Sequence, residues 1–256
     1  MNQETFQIFL WVMSAVALVV FIALYFVKAG YGMFRTASWG ISINNKLAWV
    51  LMEAPVFIVM FGLWGKSGAG FAVPVYFFFL LFQLHYLQRA FIFPFLMKCK
   101  SRMPVAIMAM GIVFNLLNGM MQAGGLFYFA PEGLYADGWA YLLKPHALLG
   151  IILFFAGMFV NLHSDYVIRH LRRPGDTKHY LPGKGLYRYV TSANYFGELV
   201  EWTGFAILTA SPAAWVFVWW TFANLVPRAD AIHRRYREEF GDEAVGKRKR
   251  IIPFLY

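Results

Sequence analysis

The sequence predicts an all-α integral membrane protein with seven transmembrane helices. Of its 256 residues, 60% are hydrophobic and only 14% are charged, whereas soluble domains carry about 25% charged residues. A helix needs about 20 mostly apolar residues to cross the hydrocarbon core of a bilayer, and the chain contains several windows of that kind. The composition therefore excludes a disordered chain, a collagen-like fibre and a conventional soluble enzyme.

Apolar windows give the positions of the predicted spans. Five are clear candidates: residues 6–27, 46–63, 71–95, 103–129 and 145–160. A polar stretch follows, and then two shorter apolar runs, residues 195–208 and 212–225, which we interpret as the sixth and seventh spans. The remaining tail alternates charged and aromatic residues and is expected to lie outside the hydrocarbon.

The distribution of positive charge predicts the orientation. Lysine and arginine collect in the cytosolic loops of membrane proteins. With the amino terminus outside, the three inner loops hold three, three and six such residues, and the tail holds eight. Only Lys66 and Lys144 fall in outer loops, and Arg89 lies within a span. We therefore predict a cytosolic carboxyl terminus and no nucleic-acid partner, in either a bacterial inner membrane or the endoplasmic reticulum, which share this bias.

Ionisable groups inside the predicted spans mark candidate functional residues, since each costs at least about 2.5–3.5 kcal/mol to insert. Glu53, Glu198 and Glu201 are such acids, and Tyr86 lies among polar neighbours in the third span. Glu53 could instead serve only as a tie to Arg89 or to a nearby amide, and a buried tyrosine often packs with its hydroxyl satisfied. The neighbouring polar side chains are His85, Gln83, Gln88, Asn115, Asn118 and Gln122.

The polar loop after the fifth span predicts an anion site and no metal site. Its histidines and Asp165 do not match zinc-ligand spacing, and no cysteine accompanies them. Its arginines, among them Arg172, suit phosphate, although membrane topology and lipid headgroups would also explain the positive charge. A loop whose positive charge served only membrane topology would not need the amides Asn161 and Asn194 or the acid Asp165. Neither a Rossmann fingerprint nor a Walker A motif is present, so a helical bundle would have to bind any nucleotide.

Four stretches of the chain carry a family resemblance: NLHSDYVIRHLRRPGDT from Asn161, GLYRYVTSANYFGELVEW from Gly185, PRADAIHRRYREEF from Pro227, and the terminal KRIIPFLY. They resemble the steroid 5-alpha-reductase family from the second span to the carboxyl terminus. That family consists of multispan, NADPH-dependent oxidoreductases that reduce the 4,5 double bond of 3-oxo-4-ene steroids. The resemblance implies one membrane domain, with residues 1–130 forming the substrate pocket and 131–256 mainly binding NADPH.

The resemblance also implies roles for individual residues. Glu53 and Tyr86 would form the catalytic pair that polarises the C3 carbonyl during hydride transfer to C5. The implied cofactor contacts are Asn161, Asp165, Arg172, Asn194, Glu198, Arg228, His233, Tyr236 and Lys100. Arg102 is the alternative to Lys100. The implied partners are NADPH, a steroid or steroid-like lipid and membrane lipid, with no obligate protein partner.

Two departures from the family pattern leave the substrate and one cofactor contact open. Met52 precedes Glu53 where members acting on steroids often carry glutamine, and His179–Tyr180 replaces a tyrosine followed by a basic residue. Reduction of another lipid double bond, as in enoyl-CoA or polyprenol reductases, is one alternative, and a membrane methyltransferase using S-adenosylmethionine is another. A transporter would need a polar pathway through both sides, which the apolar first span and short outer loops argue against.

Overall fold

Apolar helices dominate the computed structural model, which describes residues 1–28, 30, 32–34, 36–98, 101–171 and 178–256. The α-helices are α1 Gln3–Phe26, α2 Asn45–Ser67, α3 Val75–Tyr86, α4 Phe93–Leu96, α5 Val105–Ala123, α6 Trp139–Leu142, α7 Pro145–Arg169, α8 Ala193–Thr209, α9 Pro212–Phe240 and α10 Asp242–Val245. A π-helical turn, Leu87–Ile92, joins α3 to α4, and another, Gly124–Tyr128, extends α5. The predicted α-helical class is confirmed.

Five of the described helical segments are long and apolar enough to cross a membrane. They are α1, α2, the continuous stretch Val75–Leu96, Val105–Tyr128 and α7, and they coincide with the five longest predicted windows. Large apolar side chains such as Trp11 and Phe26 are exposed on α1, as expected of a surface that contacts lipid. The chain is therefore a multi-pass membrane protein.

The sixth and seventh predicted spans coincide with α8 and with the first half of α9. Helix α8 has only 17 residues, which is the lower limit of about 17 for a spanning helix. Helix α9 is longer, but its second half carries the charged sequence that follows Pro227. The count of seven spans and the orientation remain predictions.

A short antiparallel ladder, which the sequence did not predict, aligns α2 with α5. Strand β1 (Ser42–Asn44) pairs with β2 (Arg102–Pro104), so that Asn44 lies opposite Arg102. Asn44 also caps α2, because its side-chain oxygen accepts a hydrogen bond from the Lys46 backbone N–H at 2.9 Å. Helices α2 and α5 therefore begin side by side, and this alignment sets Glu53 of α2 against Asn115 of α5.

Glycines bring the backbones of α7 and α8 into direct contact. Gly150 and Gly157 are seven residues apart on α7, and Gly197 and Gly204 are seven apart on α8, so each pair lies on one helix face. A Cβ atom on any of them would overlap backbone atoms of the facing helix; at Gly150 it would lie 2.5 Å from the Leu208 nitrogen. Small residues of this kind allow close helix packing in membranes.

The carboxyl-terminal tail folds back onto the loop before α8. The backbone N–H groups of Thr191 and Ser192 donate to the carbonyls of Lys249 and Arg250 at 2.9 and 3.0 Å. The Arg250 guanidinium in turn donates to the Asp230 carboxylate of α9 at 2.6 Å. The tail, the loop and α9 thus form one layer at the end of the bundle where α8 begins, next to Asn194.

Candidate active site

The two residues implied as a catalytic pair are held by amides of one helix. Glu53 is half-buried on α2 and Tyr86 is buried at the end of α3. The Asn115 amide donates to Glu53 Oε2 at 3.2 Å, and the Asn118 amide donates to the Tyr86 hydroxyl oxygen at 3.0 Å. Glu53 lies close enough to act electrostatically on Tyr86. We call these four residues the amide-held pair site.

Arg89 connects this site to α7 and α8. It lies in the π-helical turn after Tyr86, a feature that is frequent at functional sites. Its Nη1 is 3.6 Å from Asp165 Oδ2 and its Nη2 is 3.9 Å from Glu198 Oε2. Its guanidinium also stacks 4.7 Å from the centre of the Trp49 ring. Of the two ties considered for Glu53, the structure contains the amide tie to Asn115, while Arg89 pairs with the acids of α7 and α8.

A cavity of about 540 Å³ opens beside Arg89, between the loop before α8 and helices α2, α4, α7, α8 and α9. We call it the inner cavity. Its wall includes Asp165, Asn194, Arg228 and Tyr236, which belong to the implied cofactor set. The other polar residues on the wall are Asn45, Lys98, Ser101, Arg169, His179, Tyr180, Thr191, Ser192 and Tyr195, and apolar ones include Trp49 and Phe93.

Asn194 is the centre of a hydrogen-bond network on this wall. Its backbone carbonyl accepts from the Asn161 amide at 3.0 Å, and its own amide donates to Asp165 Oδ1 at 3.3 Å. Its side-chain oxygen accepts from the Tyr187 hydroxyl at 3.3 Å. Burial raises the pKa of Tyr187 well above its usual value, so that the hydroxyl stays protonated and remains a donor. These bonds fix the orientation of the Asn194 amide.

Two further members of the implied set, Glu198 and His233, lie next to the inner cavity. Glu198 faces Arg89, and Arg228 lies 5.9 Å from the centre of the Tyr195 ring. His233 Nδ1 is 3.4 Å from the hydroxyl oxygen of Thr191 on the cavity wall. Burial, followed by the charge of Arg250, lowers the pKa of His233, so that the ring is neutral at neutral pH.

Two members of the implied set, Arg172 and Lys100, lie outside the described residues. Arg102, the alternative to Lys100, donates through its Nε to the Ser42 carbonyl at 3.1 Å. It therefore closes the β1–β2 ladder, and it is not part of the wall of the inner cavity. The role implied for Lys100 remains a prediction.

Two residues at the site were not singled out from the sequence. Lys98 and Thr191 lie on the wall of the inner cavity, and the only available signal for Lys98 was the cluster of cations after the third span. His85 pairs with Glu201 at 2.7 Å, and both side chains are buried beside Tyr86. This contact gives Oε1 of Glu201 a partner, whereas its buried Oε2 makes no hydrogen bond within the described residues.

Comparison with known proteins agrees with the resemblance. The family model described as 3-oxo-5-alpha-steroid 4-dehydrogenase matches residues 101–256. The 3-oxo-5-alpha-steroid 4-dehydrogenase 1 of Macaca fascicularis is 37% identical over 228 residues, which cover 88% of this chain and 84% of the relative. Its counterpart in Bos taurus is 36% identical, with coverages of 94% and 93%. The steroid 5-alpha-reductase DET2 of Gossypium hirsutum is 36% identical over 260 residues, with coverages of 100% and 99%. The chain therefore belongs to the 3-oxo-5-alpha-steroid 4-dehydrogenase family of oxidoreductases.

Proposed function

We propose that the chain catalyses the NADPH-dependent reduction of the 4,5 double bond of 3-oxo-4-ene steroids, with Glu53 and Tyr86 polarising the C3 carbonyl. The observation that carries the proposal is the amide-held pair site itself. A carboxyl group and a phenol are held by amides three residues apart on one helix, inside a bundle of apolar helices. Arg89 then links this site to the wall of the inner cavity. Family membership supplies the reaction class.

The inner cavity fits a phosphate-bearing dinucleotide. Its volume of about 540 Å³ lies within the range of about 300–1,000 Å³ that is typical of ligand sites. Lys98, Arg169 and Arg228 bring positive charge to the wall, as phosphates require. Within the described residues, the buried Ser192 Oγ atom has no hydrogen-bond partner and is available to a ligand. Asp165 Oδ2 makes no hydrogen bond either, but it lies 3.6 Å from Nη1 of Arg89.

Asp165, Asn194, Arg228 and Tyr236 would hold the dinucleotide at this wall. The fixed Asn194 amide gives a ligand a preoriented partner, which limits the entropy lost on binding. Asn161, Glu198 and His233 would support the wall from behind, while Arg172 and Lys100 are proposed as further phosphate contacts. When bound, NADPH supplies the hydride that C5 receives.

Tyr86 and Glu53 act on the substrate carbonyl. During reduction of an enone, negative charge develops on the C3 oxygen, and a donor placed where that charge appears stabilises the transition state. The Tyr86 hydroxyl is such a donor in a site that excludes water. Glu53 lies beside it, where its carboxyl group either donates in its protonated form or orients Tyr86 in its ionised form. The apolar side chains of α1 to α5 surround this region and suit a rigid sterol skeleton.

The test uses the full chain purified in detergent, incubated with NADPH and testosterone, progesterone or cholestenone, with products identified by mass. Tyr86→Phe and Glu53→Gln are expected to reduce kcat by about 10²–10³-fold, the usual effect of losing one oxyanion donor. NADPH retention should be unchanged in both. Tyr128→Phe is the matched control, because the Tyr128 hydroxyl bonds the Leu63 carbonyl at 2.8 Å, away from the site.

The outcomes separate the proposal from its alternatives. Wild-type turnover in both Tyr86→Phe and Glu53→Gln would remove these residues from the chemistry. Reduction of an enoyl-CoA or a polyprenol, with no product from any of the three steroids, would identify a reductase of another lipid double bond. Retention of S-adenosylmethionine in place of NADPH would overturn the oxidoreductase mechanism.

A further inference from the structure

Three buried amides follow one stripe of α5 and lead to the amide-held pair site. Asn115, Asn118 and Gln122 are three and four residues apart, so they lie on the same helix face. All three are almost completely buried, with exposures of 4%, 0% and 0%. Buried amides carry a cost unless their hydrogen bonds are made. Their partners therefore show what the stripe does.

The direction of the hydrogen bonds along this stripe is fixed by a backbone carbonyl. Gln122 Nε2 lies 2.9 Å from the Ala213 carbonyl oxygen, which can only accept, so that the NH₂ group of Gln122 must face it. The same NH₂ group lies 3.5 Å from Asn118 Oδ1. Since Oδ1 of Asn118 accepts from Gln122, the NH₂ group of Asn118 faces the Tyr86 hydroxyl oxygen, 3.0 Å away.

An amide NH₂ group has no lone pair to offer. The Tyr86 oxygen must therefore accept from Asn118, and its own proton is left for another acceptor. Within the described part of the chain, no hydrogen bond donated by the Tyr86 hydroxyl is found. The phenol is thus held with its O–H group available to an incoming oxygen atom.

A second branch acts on Glu53 in the same manner. Asn115 Nδ2 lies 2.7 Å from the Met52 backbone carbonyl, which again accepts only. The other hydrogen of this NH₂ group is directed to Glu53 Oε2 at 3.2 Å. One face of α5 therefore supplies a donor of fixed direction to each member of the pair.

We propose that Asn118 is a positioning residue that, through the Gln122–Asn118 relay, makes Tyr86 a hydrogen-bond acceptor toward the protein and a donor toward the substrate carbonyl. This inference rests on the proposed function, because it assigns a cause to the donor role of Tyr86. The prediction specific to it is that the hydrogen-bond polarity at residue 118 controls turnover more strongly than its shape.

Two substitutions that keep four side-chain heavy atoms branched at Cγ separate polarity from shape. Asn118→Leu removes the donor and adds no acceptor, so the Tyr86 proton remains available and kcat should fall only about threefold to tenfold. Asn118→Asp introduces an acceptor that captures the Tyr86 proton when ionised, so kcat should fall by about 10²–10³-fold. In both variants KM for the steroid and NADPH retention should change little.

The pH profile adds a signature that a structural role would not give. As pH falls, the introduced carboxyl group in Asn118→Asp becomes protonated and can donate to the Tyr86 oxygen, which restores activity toward the wild-type value. Asn118→Leu has no such group and should keep a constant ratio to wild type. Glu53, Glu198, Arg89 and His85 also act on Tyr86, but they are common to all the variants.

Gln83 provides the matched control, since it is a buried amide of α3 that donates to the Phe57 carbonyl at 3.3 Å. Gln83→Leu and Gln83→Glu should lack the acid-restored activity. Gln122→Leu is the second variant if Asn118→Asp does not fold. Without Gln122, the Asn118 amide can turn its oxygen to the Tyr86 hydroxyl, so kcat should fall although residue 122 does not touch the pair.

The inference is overturned if Asn118→Asp is as active as Asn118→Leu or more active at alkaline pH, or if Gln122→Leu has wild-type kcat. The Tyr86→Phe variant distinguishes this failure from failure of the proposed function. If Tyr86→Phe is inactive while the variants at 118 and 122 behave otherwise than expected, only the relay is wrong. If Tyr86→Phe retains wild-type turnover, the catalytic assignment fails as well.

Discussion

The close contact of α7 with α8 leads to a prediction about cofactor affinity. The perturbation is Gly157→Ala, one turn before Asn161. A Cβ atom at residue 157 would overlap the Glu201 backbone nitrogen and lie 2.6 Å from the Gly197 carbonyl oxygen. Carbon and backbone atoms need about 3.5 Å, so the two helices must separate by roughly 1 Å at this level.

That displacement has a calculable effect on the Asn194 network. The hydrogen bonds from Asn161 to the Asn194 carbonyl and from Asn194 to Asp165 measure 3.0 and 3.3 Å. An added separation of about 1 Å takes both beyond hydrogen-bonding distance. Two such bonds contribute about 0.5–1.5 kcal/mol each, so that their loss corresponds to about a fivefold or greater loss of NADPH affinity.

The assay is NADPH titration of the purified protein, followed by changes in nicotinamide fluorescence, together with thermal unfolding in detergent. Gly62→Ala is the control, because a Cβ atom at Gly62 of α2 meets open space. We expect weaker NADPH binding and a lower Tm for Gly157→Ala, and wild-type values for Gly62→Ala. If Gly157→Ala bound NADPH with wild-type affinity, the backbone contact would not position the Asn194 network.

Three further predictions concern charge. Arg89→Met leaves the acids Asp165 and Glu198 without the cation between them, so it should lower the free energy of unfolding by about 3–5 kcal/mol. Arg235→Met, on the exposed face of α9, is the control and should lower it by at most about 1 kcal/mol. Chemical denaturation measures both values. The pKa of His233 is lowered in the folded chain, so the unfolded chain binds more protons below about pH 6.5 and stability should fall as pH drops through that value. Thermal unfolding across pH should show this slope in the wild type and a smaller one in His233→Asn. Asp230→Asn weakens the 2.6 Å contact with Arg250, and limited proteolysis should then remove the tail faster.

The sequence predicts well those features that depend on local composition. Residues 6–27 and 145–160 can be predicted as spans because hydrophobicity is a property of each segment alone; α7 contains the second span, and α1 covers the first except for its last residue. The β1–β2 ladder was not predicted, since it joins three-residue strands distant in the chain. No periodicity can be read from three residues, and only the tertiary arrangement brings Asn44 opposite Arg102.

The sequence also could not predict which polar side chains contact one another inside the bundle. Polar residues in the spans could be recognised by their insertion cost, and Glu53, Tyr86 and Asn118 were all noted on that basis. Which of them meet depends on the relative rotation and register of the helices. The π-helical turn at Leu87–Ile92 changes that rotation, and Arg89 within this turn pairs with Asp165 and Glu198.

The position of Arg89 explains why the two parts of the site meet where they do. A sterol is soluble in the hydrocarbon, whereas a dinucleotide carries phosphates that the hydrocarbon excludes, so the proposed reaction requires a boundary where both environments are in contact. Arg89 has the properties of such a boundary: its guanidinium stacks on Trp49 at 4.7 Å and on Phe93 at 4.9 Å, and its donors face Asp165. Planar, weakly hydrated guanidinium groups tolerate this combination of aromatic and acidic partners, whereas lysine does not. Arg89 therefore meets both environments at the wall of the inner cavity, where Trp49, Phe93 and Asp165 all lie.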